Sequence, residues 1–137
     1  MSQENVAIVR RAEEALSVSF ERGEATADLL DLCAPDIRVD ASRRIFNPAV
    51  YDGHDGLRRL IREISEAWED FSEVNDRHID AGQQVVALQR ISARGRESRA
   101  QVQAPAALIW TMREGRIVRV DIFLDQEEAL DVAGLKD

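Results

Sequence analysis

Trp110-Thr111-Met112-Arg113-Glu114-Gly115-Arg116-Ile117-Val118 is the stretch on which the fold turns. Apolar and β-branched residues stand on both sides of Glu114-Gly115, and an acidic residue followed by glycine is a two-residue hairpin turn. Strands are therefore expected over 100–112 and 116–124. Upstream, 71–79 and 85–93 have the same character, with Gly82 and Gly95 at the breaks. Four strands in succession joined by short turns make an antiparallel meander.

Before the meander the period changes to that of a helix. Val9, Ala12, Leu16 and Phe20 form one stripe over 3–22, which Ser2 opens and Gly23 stops. A short helix from Thr26 is expected to end at Pro35, which lacks the donor that continuation needs. Residues 37–41 alternate as a strand, 42–48 read as a loop, and Tyr51 adds a short edge strand. Leu57, Leu60, Ile61, Ile64 and Trp68 make a third helical stripe, capped by Asp55 and ending near Asp70. After the meander, Asp125 and Glu128 have capping-box spacing for a last helix that Gly134 ends. Helices followed by a meander indicate one α+β domain over 1–137, with helices packed on the sheet.

Pairing Arg113 with Arg116 fixes which side chains share a face. It sets Leu108 and Trp110 beside Arg119, Asp121 and Phe123, and Ile109 beside Val120 and Ile122. Both faces are then apolar enough to require cover. A homodimer formed through an outer face of Leu108, Trp110 and Phe123 is the expected second cover.

A chain of 137 residues is long enough to bury a core without a disulfide or metal staple. The formal net charge of −8 disfavours nucleic acid as a partner. Cys33 is the only cysteine, which excludes an internal disulfide and a cysteine metal cage. His54 and His78 are 24 positions apart with no Glu or Cys at ligand spacing from either, so neither a metal nor another cofactor is expected. No apolar run approaches membrane-spanning length and no leader is apparent, so a cytoplasmic protein without a membrane partner is the expectation. Phosphate loops, nucleophile elbows and dinucleotide fingerprints are absent from the sequence.

The closing hairpin, continued by Phe123-Leu124-Asp125 and Glu128-Ala129-Leu130, resembles that of SnoaL-like proteins of the NTF2-like superfamily. Asn5-Val6 through Arg11, Asp36-Ile37, Gly53-His54-Asp55-Gly56 and Ile79-Asp80-Ala81-Gly82 are similar to that family's other markers, in the same order. The resemblance implies a curved antiparallel sheet wrapped as a cone around N-terminal helices and enclosing a pocket. It implies no single activity, because polyketide cyclases, ketosteroid isomerases, epoxide-hydrolase-like enzymes and silent binders share the fold. By that resemblance the isomerases' oxyanion tyrosine falls on Leu16, their base on Ala41 and their second oxyanion donor on Ala107. The hydrolase carboxylate falls on Ile122. All four are apolar.

Candidate catalytic groups are therefore displaced ones: Asp40 as a desolvated base or an outward strand residue, His54 as a proton shuttle or a helix-start residue, and Tyr51. Arg90, with Leu88, is expected on the inward face opposite Gln103, where it could anchor an acidic guest or reach out to the rim. Leu88, Ile109, Val120, Ile122 and Trp68 complete the expected lining. Three readings follow: a binder of a small apolar molecule, acidic at one end or not; an isomerase, cyclase or epoxide-hydrolase-like enzyme using a non-standard acid/base pair; and a purely structural dimerisation module.

Overall fold

The computed structural model describes residues 2–44 and 48–135. The chain runs α1 (Ser2–Arg22), α2 (Ala27–Leu32), β1 (Cys33–Asp40), β2 (Val50–Asp52), α3 (Gly53–Ala67), β3 (Trp68–Ala81), β4 (Gln84–Gly95), β5 (Gln101–Arg113), β6 (Arg116–Phe123) and α4 (Gln126–Val132). The six strands form one unclosed sheet in the order β2-β1-β6-β5-β4-β3. The expected meander is β3 to β6. One pair departs from the expected antiparallel arrangement: β1 lies parallel to β6, because the chain crosses from β1 through β2 and α3 before the meander begins.

Local chemistry accounts for most element ends. Glu114 and Gly115 both have positive φ, as the two-residue turn requires. Asp125 accepts from the backbone of Glu127 and Glu128 and caps α4. The short helix stops at Leu32, before Pro35, so the proline lies inside β1. Helix α3 begins two residues before Asp55, which instead pairs with Arg58. It also ends before Trp68, which opens β3 opposite Gly95 and so leaves the helical stripe. Of the loop expected over 42–48, residues 45–47 fall outside the described residues.

Irregularities in pairing decide the faces. Between β5 and β6 the register slips after Arg113–Arg116: Met112 pairs with Ile117, but Thr111 pairs with Arg119 and Trp110 with Val120. Val118 is the extra residue of a β-bulge, which reverses every assignment beyond it. Leu108 and Trp110 therefore face the helices, 6% and 2% exposed, and belong to the main core with Val9, Leu16, Leu57, Ile61 and Val120. Their expected place in an outer dimer face is corrected by that bulge. Phe123 is on the outer face, where α4 folds back over it; Ala129 and Leu130 pack with Phe123, Val86, Ala107, Ile109 and Leu88. The chain's own last helix thus covers this part of the second apolar face. Leu88 and Ile109, expected to line the interior, lie under α4 for the same reason.

Candidate functional site

Strand β3 carries the polar part of the interior. Phe71, Glu73 and Asn75 alternate inward while Val74, between them, is 51% exposed. A bulge at Asp76 between the Asn75–Gln89 and Arg77–Leu88 pairs then turns His78, rather than Arg77, toward the helices. His78 Nε2 lies 2.8 and 2.9 Å from the two carboxylate oxygens of Glu13 on α1. One residue pair farther along, Gln89 Nε2 on β4 donates to Glu73 Oε2 at 3.2 Å. Gln89 is 2% exposed, and its backbone oxygen, like that of Ala106 across on β5, accepts from Gln126. Phe71 meets Phe20 of α1 edge-on, with ring centroids 4.7 Å apart.

Burial sets the protonation of this cluster. The Glu73 carboxyl is pushed up to about 7 by desolvation first and by the negative charge of Glu13 second. Glu13 is also raised by burial, with His78 and Arg10 opposing the shift. Three buried polar atoms, Asn75 Oδ1, Gln89 Oε1 and Trp110 Nε1, have no hydrogen-bond partner in the protein. Each such atom costs about 1–3 kcal/mol relative to a paired one. Among the described residues, no group of three or more His, Cys, Asp or Glu side chains is placed to hold a metal.

The residues singled out from sequence lie elsewhere. Asp40 is on the outer face, where Ser42 Oγ and the Ser42 backbone hold it, with Arg119 and Arg43 nearby. The two Ser42 hydrogen bonds, then the arginine charges, hold its carboxyl below the usual range. A base needs the opposite shift. Asp121, beside it in register, is bonded to Arg119. His54 Nε2 sits 3.1 Å from the carbonyl oxygen of Cys33, which ties the start of α3 to β1. Tyr51 is 1% exposed; its hydroxyl donates to Glu63 at 2.6 Å and accepts from Arg44, under the guanidinium of Arg59. These three are held in separate places, Asp40 by its outer-face ion pairs, His54 at the β1–α3 joint and Tyr51 in a polar latch on α3.

Arg90 is exposed and forms a two-pronged ion pair with Asp76 on the neighbouring strand. Its strand partner is Pro105, while Gln103 pairs with Ser92 and is exposed. The expected inward Arg90–Gln103 anchor is thereby corrected; the side chain found a carboxylate outside. Of the expected lining, Val120 and Ile122 pack with the main core. Trp68 lies at the end of β3 against Gly95. Leu16 and Ala41 are in the main core, and Ala107 is in the cluster under α4. The inner-face neighbours of Ala107, Ala106 and Leu108, are equally without a donor.

Glu73, Asn75 and Gln89 are not among the candidates read from the sequence. The available signal was Phe71-Ser72-Glu73-Val74-Asn75, in which the acid and the amide share parity with a core aromatic. Two open concavities lie away from this cluster. One, of about 730 Å³, is bordered by Arg38, Asp52, Arg113 and Arg119; the other, of about 800 Å³, runs between α1 and α2 past Val18 and Asp28.

The SnoaL-like domain model matches residues 12–120, most of the chain. The chain belongs to the SnoaL-like domain family. Among solved structures, an NTF2-like protein from Burkholderia xenovorans superposes with a TM-score of 0.75 at 20% identity, covering 97% of each chain. An NTF2-like protein of unknown function from Burkholderia pseudomallei gives 0.75 at 19%, over 95% of this chain and 97% of that one. A protein of ketosteroid-isomerase-like fold from Catenulispora acidiphila, in complex with trimethylamine, gives 0.71 at 15%, over 94% and 93%. No curated protein matches. At these identities the shared property is the SnoaL-like fold. Within it, no helix among the described residues is long and apolar enough to cross a membrane.

Proposed function

We propose that this SnoaL-like domain binds a small, largely apolar molecule between α1 and the inner face of the sheet, with the guest's polar end at Glu73, Asn75 and Gln89. The observation that carries the reading is the pair of buried amide oxygens without a protein partner beside a buried carboxyl. Native proteins leave few such atoms, and each calls for a partner from outside the chain or for a functional role. Small side chains flank them: Ala106 stands opposite Gln89, and Ala104 opposite Ile91. The Catenulispora protein of the same fold holds trimethylamine, itself a small and mostly apolar molecule, which supports a guest of this class. Arg90 plays no part in this reading.

A thermal-shift screen of small amphiphiles tests it. A guest at a hundred times its dissociation constant adds about 2.7 kcal/mol of stability. The expected hit loses its effect in Gln89→Leu and keeps it in Asp40→Asn. Hits that respond to Asp40→Asn and ignore Gln89→Leu would move the site to the outer face.

A second reading, an isomerase, cyclase or epoxide-hydrolase-like enzyme, is favoured by one specific observation. Glu73 changes protonation near neutrality, where a general acid or base works best. In that case turnover of a screened substrate falls at least about a hundredfold in Glu73→Gln. Its pH profile would also have a limb near 7; full activity in that variant would end the reading.

A further inference from the structure

The atoms left open in the interior are all of one kind at the strand pair, and this has a chemical meaning for the guest. Asn75 Oδ1 and Gln89 Oε1, on directly paired residues, are acceptors without a donor, and the Glu73 carboxyl, two residues along β3 on the same face, receives the Gln89 amide. The charged groups that face this region are Glu73 and His78 from β3, and Glu13 and Arg10 from α1. His78 is already bonded to Glu13, and Arg10 is exposed and acts on Glu13. The nearest strand arginine, Arg90, is outside on Asp76. An acid placed here would meet a second carboxylate, while Arg10 acts on Glu13 and Arg90 is held by Asp76.

We infer that the guest's polar end is a primary ammonium group, which Glu73, Asn75 and Gln89 receive through three oxygen acceptors. An ammonium has three donors and no acceptor, so it matches this set one for one. Its charge also offsets the charge that Glu73 acquires in a desolvated place. The inference rests on the guest-binding reading above and narrows it from a small apolar molecule to an amine with an apolar body. It also gives binding a pH dependence of known sign. Below neutrality Glu73 is protonated and the ammonium must displace that proton, so affinity rises as pH passes upward through about 7.

Three probes of one skeleton test this by calorimetry: cyclohexylamine, cyclohexanol and cyclohexanecarboxylate. Each is titrated into the wild-type chain and into Glu73→Gln, an isosteric change that removes a desolvated charge. Cyclohexylamine is expected to bind at least about tenfold more tightly than the carboxylate at pH 8, since the ammonium donates to the open acceptors while the carboxylate has no donor and meets the like charge of Glu73. Its affinity should fall about tenfold in Glu73→Gln and on acidification to pH 6, while that of cyclohexanol holds in both. Equal binding of amine and carboxylate, or an amine affinity indifferent to Glu73→Gln, overturns the inference and leaves the guest-binding reading standing. Failure of all three probes to bind overturns both.

Discussion

Glu73 on β3 and Asp40 on β1 are carboxylic acids on strands of one sheet, and their surroundings push them in opposite directions. Asp40 is in an outer-face array of alternating charge, with Ser42, Arg43, Arg119 and Asp121, and is held below its ordinary range. Glu73 is inside, with an amide for a partner and Glu13 for a neighbour, and is pushed up to about 7. The outer array has the residue types usually sought in an active site, yet every carboxylate there has its cation. The inner cluster has fewer charges and leaves acceptors unfilled. Capacity to bind or exchange a proton follows from unmet demand in a dry place, and residue type alone does not report it.

The largest effect expected from breaking this contrast comes from the core that separates the two regions. Trp110→Ala should lower unfolding stability by about 3–5 kcal/mol, the range for a buried large aromatic. Denaturant midpoints measured at two protein concentrations check it. A loss that vanishes on dilution of the wild type would return Trp110 to a surface between copies and undo the bulge-based face assignment.

Next in size is the pH dependence of the inner carboxyl. Its pKa rises on folding from 4.5 to about 7, so the protonated form is favoured in the fold. The contribution is full below pH 4.5 and is lost as pH rises toward 7, a difference of roughly 3 kcal/mol at most. Glu73→Gln should therefore flatten stability across this window and leave the variant more stable than wild type at pH 8. Urea unfolding at pH 5, 6, 7 and 8 measures both. A variant less stable than wild type at pH 8 would mean that Glu73 has a cationic partner.

The smallest effect belongs to the outer array. Arg119→Met should change stability by no more than about 1 kcal/mol at neutral pH, because Arg119 is itself 41% exposed and Asp40 keeps Ser42 and Arg43, so that only Asp121 loses its arginine. Asp40, with its depressed pKa, contributes stability that is present above the ordinary carboxyl range and lost only as pH falls through its lowered value. Unfolding curves at pH 7 and pH 3 separate these. A loss of several kcal/mol at pH 7 would make the outer array the buried one.

Much of the fold was legible because its signals are local. The helical stripes, the Glu114-Gly115 turn and the Asp125 cap each lie within a few residues of what they determine. The faces beyond the turn were not legible, because one extra residue, Val118, reverses them and nothing in Arg116-Ile117-Val118-Arg119 marks a bulge. Arg90 was misread for a related reason: its partner, Asp76, is the bulged residue of β3, set outward by a distortion the alternating pattern does not contain. The inner cluster was hidden because Glu73 and Asn75 read as ordinary polar positions on a strand. Only α1, laid across them with Glu13 and Phe20, makes that face interior.

The contrast between the two carboxyls is tested most directly by a carbon-13 NMR titration of the side-chain carboxyl of Glu73, assigned by its loss in Glu73→Gln. A midpoint near 7 is expected. Saturating cyclohexylamine is expected to move this midpoint downward, as an ammonium that favours the charged form must. A midpoint in the ordinary range around 4.5, unmoved by the amine, would contradict the assignment of the site.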